Sequence, residues 1–78
     1  MTFIELLDEL KNDLPEMAID LLPLSLSAKT QEELCNLKLE EAGIILEHVI
    51  GLINRGSVET IESLTQEALE KHRSPEKQ

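Results

Sequence analysis

His48 and His72 are the only imidazoles in this 78-residue chain, and Cys35 is its only thiol. Nucleophilic or metal chemistry would have to be assembled around these three. On a helix, the neighbours of His48 at three and four residues are Ile44, Ile45, Gly51 and Leu52. None of them can orient an imidazole, accept its proton or share a metal ion. The corresponding neighbours of His72 on its N-terminal side are Ala68 and Leu69, so neither histidine sits in a local ligand set such as HExxH.

Cys35 falls in an apolar row, where a free cysteine behaves as a small hydrophobe rather than a nucleophile. Paired carboxylates recur at Glu32-Glu33 and Glu40-Glu41. Without a concave apolar pocket, however, such acids have neither a raised pKa nor a substrate to act on. The serines stand in LSLS, RGSV, IESL and RSPE contexts, none of which is the Asp-Ser-Leu attachment site of an acyl carrier protein. Phosphate-cradling glycine loops and calcium loops are absent from the sequence. The expectation is a protein without catalysis, without a cofactor and without a metal site.

Charge narrows the partners. Sixteen acidic residues against seven basic give a net charge of −9, spread from the first residues to about residue 70, with a basic excess only in the last eight. A field of this sign repels phosphate backbones, and with neither Trp nor Tyr the chain has few stacking platforms. Direct nucleic-acid binding is therefore not expected, and basic protein segments are the charge-complementary partners. The single cysteine allows no intrachain disulfide. The opening MTFIELLDELKND carries acids where a secretory leader carries Lys or Arg, and no apolar run reaches membrane-spanning length. The reading is a cytoplasmic protein that does not enter the membrane.

The elements that must position any site come from hydrophobic spacing. Thr2 and Glu5 form a capping box ahead of Phe3, Leu7, Leu10 and Leu14, which recur at helical intervals. Pro15 interrupts that helix, and a second one is expected from there, with Asp13 as its N-cap. Pro23 is expected to end it, leaving 21–30 as a loop whose leucines plug the core. Thr30 with Glu33 then opens a long helix running to Arg55, closed by Gly56. Ser57 caps a last helix whose apolar set is Val58, Ile61, Leu64, Ala68 and Leu69. Residues 74–78 read as a disordered tail beyond a single helical domain at 1–73.

The long helix is the most informative segment. From Ala42 to Ile53, eight of twelve residues are aliphatic, yet polar pairs recur every seven positions at Glu40-Glu41, Glu47-His48 and Asn54-Arg55. A strand would alternate and a membrane span would show no polar face, so this is an amphipathic helix. Cys35, Leu39, Ala42, Leu46, Val49 and Ile53 step by four and three along its apolar centre and form a seam for another helix or another subunit. Leu37 and Ile44, seven apart on the polar side, form a second contact row. Gly43 beside this seam marks a close backbone crossing.

The resulting expectation is an all-α bundle of three to four helices with one long central helix at about 30–55. It acts as a small protein-interaction module, a regulator, adaptor or inhibitor, in a homodimer or heterodimer. The alternatives are a nucleic-acid-mimicking inhibitor, whose carboxylates imitate phosphates, and an accessory subunit of an enzyme complex.

Overall fold

The computed structural model describes residues 2–73. Within them the chain is all-α, with five helices in the order α1 (Phe3–Leu10), α2 (Glu16–Ser25), α3 (Ala28–Cys35), α4 (Leu39–Asn54) and α5 (Ile61–Arg73), and no strand. The expected tail at 74–78 lies outside the described residues.

α1 starts as the capping box dictates. The Thr2 hydroxyl accepts from the Glu5 N–H at 3.2 Å, and the Glu5 carboxylate accepts from the Thr2 N–H at 2.9 Å. Phe3, Leu6, Leu7 and Leu10 are all buried, and α1 packs on α2, α3 and α4. A separate helix does follow Pro15, but its N-cap is Pro15 rather than Asp13: the Pro15 carbonyl accepts from Ala18 and Ile19, with no side-chain cap.

Pro23 does not end α2. The helix runs on to Ser25, forgoing one bond from position 23 to the Ile19 carbonyl, and the Leu26 N–H still donates to the Leu22 carbonyl at 3.1 Å. Gln31 completes that end, its amide donating to the carbonyls of Pro23 (3.0 Å) and Leu26 (2.9 Å). The spacing of the leucines is accordingly helical. Leu22 and Leu26 are buried, whereas Leu21 and Leu24 face outward, Leu24 being 85% exposed.

The helix expected over 30–55 is two helices, which raises the count to five. Asn36 keeps right-handed helical angles and its N–H is shared between the carbonyls of Glu32 and Glu33, but Lys38 is extended at φ −66° and ψ 152°. On one continuous helix Leu37 would project from the polar face. The break turns Leu37 back onto the core, and it leaves Glu40 and Glu41 in the first turn of α4, where the helix dipole favours acids.

The start of α3 also differs. Ser27, not Thr30, is its N-cap, and the Thr30 N–H donates to Ser27 Oγ.

Gly56 closes α4 with φ 92°, and the Ser57 N–H reaches the Leu52 carbonyl at 3.1 Å in a Schellman-type closure. Ser57 is committed to that closure, so α5 begins later, at Ile61. Its first turn is held by Thr60, whose hydroxyl accepts from the Ser63 N–H and whose carbonyl accepts from the Leu64 N–H. Val58, expected in the apolar set of this helix, is 98% exposed in the connection. α5 packs most extensively on α4 and also touches α2 and α3.

Candidate functional site

The six seam residues are divided between two helices. Ala42, Leu46 and Val49 are completely buried in α4 against the chain's own helices. Ile53, in the last turn of α4, is half-buried, as is Cys35, the last residue of α3; Cys35 also packs against the core. Leu39 is partly exposed at the start of α4. The break at 36–38 separates the second row as well, because Leu37 packs inward while Ile44 remains 67% exposed.

Ile44 stands beside the point where α1 and α4 meet, about 100° round the helix from Gly43. A Cβ at Gly43 would stand 3.0 Å from Cδ2 of Leu10, so the backbone of α4 rests directly on that side chain. Beside this contact lies a groove of about 360 Å³. Leu10, Leu39, Gly43 and Ile44 supply its apolar surface, and Glu9, Asp13, Glu40 and Glu47 supply four carboxylates. Among the described residues, no Lys, Arg or His lines it. Lys11, which caps the C-terminus of α1, pairs instead with Asp8 at 3.6 Å. Glu9 also borders a second hollow, of about 440 Å³, formed by Ile4, Glu5 and Asp8 on the outer face of α1.

A different cluster fixes the opposite part of the molecule. The Glu62 carboxylate on α5 accepts from the Ser27 N–H (2.9 Å), the Ser27 hydroxyl (3.1 Å) and the Thr30 hydroxyl (2.7 Å). Gln66, one turn later, donates to Thr30 Oγ1 at 2.6 Å and to Glu33 at 3.4 Å, and Arg73 approaches Glu33 at 3.5 Å. Thr30 is fully buried and satisfied: its hydroxyl donates to Glu62 and accepts from Gln66. The Ser27 backbone bond, followed by the Thr30 hydroxyl, holds the Glu62 carboxyl below its ordinary pKa. This is a structural clasp between the first turn of α3 and the first turn of α5.

The chemistry-bearing residues do not converge. His72 Nε2 lies 3.5 Å from Glu41, His48 is exposed on α4, and burial pushes the Cys35 thiol above its ordinary value. A thiol shifted in that direction is a poorer nucleophile. Among the described residues, no group of three or more His, Cys, Asp or Glu side chains is placed to hold a metal ion. No described helix is long and apolar enough to cross a membrane.

The groove acids had a sequence signal that periodicity alone overlooks. Glu40 and Glu47 flank Ile44 at helical spacing beside a buried glycine. Glu62 carried no comparable signal, because its partners Ser27 and Thr30 lie 35 and 32 residues away.

No family model matches the chain, and no curated protein or solved structure matches it significantly.

Proposed function

We propose that the chain is a small acidic protein-interaction module, a regulator, adaptor or inhibitor that works by occupying a partner through its helix faces. The observation that supports this is Ile44. It is 67% exposed although the core closes fully without it, and it lies in a groove edged by four carboxylates. An isolated exposed aliphatic residue is ordinary, but one seated in a concave, single-sign surface matches the construction of a recognition site.

The favoured partner is a different protein with a basic surface. A second copy of this chain would bring its own net charge of −9 and oppose carboxylates to carboxylates. The test is affinity capture from the native host with the wild-type chain, Ile44→Asp and Leu24→Asp as baits, each checked for fold by circular dichroism. A partner retained by the wild type and lost by one variant is the expected result. Retention no greater than on an unrelated acidic protein would overturn the proposal.

A further inference from the structure

We propose that the groove between α1 and α4 receives a basic amphipathic helix, one that seats an aliphatic side chain on Ile44 and places cations one turn to either side. This rests on the reading of the chain as an interaction module and specifies what that module recognises.

Three features of the groove select this occupant. Its apolar surface is confined to Leu10, Leu39, Gly43 and Ile44, which suits an aliphatic anchor on a ligand helix rather than a broad hydrophobic face. Its carboxylates are arranged along the helix axis: Glu40 and Glu47 on α4 lie seven residues apart with Ile44 between them, a separation of about 10.5 Å at 1.5 Å per residue. The third feature is that, among the described residues, no Lys, Arg or His lines the groove, so the charge of its carboxylates is available to a ligand.

A helix laid alongside α4 repeats the same spacing. Lys or Arg at positions i and i+7 would stand opposite Glu40 and Glu47, and a leucine at i+3 or i+4 would meet Ile44. Glu9 and Asp13 provide the second wall, so cations on the neighbouring row of the ligand are also matched. The hollow at Ile4, Glu5 and Asp8 continues the pattern of one aliphatic residue among acids along α1. A ligand of several turns therefore has a second aliphatic contact within reach.

The probe is a synthetic peptide of about 14 residues with Lys at i and i+7, Leu at i+3 and i+4, and alanine elsewhere. It is titrated into the ¹⁵N-labelled full chain, with a scrambled peptide of identical composition as control. Amide shifts confined to residues 9–13 and 39–47 are expected for the designed peptide. Affinity is expected to fall about tenfold in Glu40→Gln/Glu47→Gln, and strongly with added salt. Glu32→Gln/Glu67→Gln, with the same change in net charge, should bind as the wild type does. Equal losses in the two double variants, equal binding of the scrambled peptide, shifts centred on Met17, Leu21 and Leu24, or no binding would each overturn the assignment. The interaction-module reading fails separately. A host partner lost by Leu24→Asp but kept by Ile44→Asp would preserve the module while refuting this groove as its site.

Discussion

Replacing Glu62 tests whether the clasp between α3 and α5 stabilises the fold. The carboxylate accepts three hydrogen bonds, but the single Ser27 hydroxyl proton is shared between Glu62 and Thr30 Oγ1, each at 3.1 Å. Two contacts are therefore unambiguous, from the Ser27 N–H and the Thr30 hydroxyl. Hydrogen bonds to a charged group contribute about 1.5–3 kcal/mol each. Ser27 is exposed, and water can replace its lost partner. Thr30 is fully buried, and after truncation its proton can turn only to the more distant Ser27 oxygen. Glu62→Ala should therefore destabilise the chain by about 2 kcal/mol, and Glu62→Gln, which keeps one acceptor, by about 1 kcal/mol. For a chain of this size each kcal/mol lowers Tm by roughly 4–8 °C.

The pH dependence gives a second, independent readout. The carboxyl of Glu62 is held below its ordinary 4.5 in the folded state. Its contribution is then fully present above the unfolded value and is lost as pH falls through the lower folded value. Thermal melts of wild type and Glu62→Gln, followed by circular dichroism, should differ by a constant amount near neutrality. They should converge as pH falls from 4.5 through the lower folded value, where both side chains become uncharged. A difference under about 0.5 kcal/mol at neutral pH, the level of an ordinary surface substitution, would refute the reasoning. A gap that survived acidification unchanged would do so as well.

Other perturbations separate the packing claims. Leu22→Ala should cost about 2–4 kcal/mol and Leu24→Ala less than about 0.5 kcal/mol in urea denaturation, since one is fully buried and the other 85% exposed; similar costs would contradict a helix that continues through Pro23. Gly43→Ala gains about 1 kcal/mol of helix propensity but presses on Leu10, so it should be nearly neutral alone and stabilising in a Leu10→Ala background; an unchanged effect would deny the close crossing. Gln31→Ala, which frees the carbonyls of Pro23 and Leu26, should destabilise by about 1 kcal/mol, and a neutral outcome in the same assay would show that water substitutes there. Iodoacetamide should label Cys35 more slowly in the folded chain than in urea at neutral pH, because burial raises its pKa; equal rates would refute that assignment.

Local patterns were legible where one residue and its near neighbours settle the outcome. The Thr2–Glu5 box, the apolar face of α1, the separate helix after Pro15 and the glycine ending α4 all depend on contacts within a few residues. The break at Asn36–Lys38 does not. Residues 33–55 fit a helical pattern apart from Leu37 and Ile44, and the break at 36–38 packs Leu37 against side chains of other helices. Thr30 and Glu33 satisfied a capping-box pattern, yet Thr30 is claimed by Glu62 and Gln66, 32 and 36 residues away. Pro23 signals a helix end by its intrinsic cost, yet α2 continues to Ser25, and the Gln31 amide binds the Pro23 and Leu26 carbonyls at that end. In each case a tertiary partner overruled a sound local inference.

The same distinction bears on the acidic composition. Excess charge alone is explained by solubility, and composition cannot separate charge that disperses a protein from charge that recognises something. Placement can. Glu5 caps α1, Glu62 clasps α3, and Glu33 meets Gln66 and Arg73, so these acids serve the fold. Glu9, Asp13, Glu40 and Glu47 instead line a groove with an exposed isoleucine, and no cation lines it among the described residues. If solubility were their whole role, neutralising Glu40 and Glu47 together would change partner binding no more than neutralising Glu32 and Glu67. That comparison holds net charge constant and varies only position, so a difference between the pairs measures recognition directly.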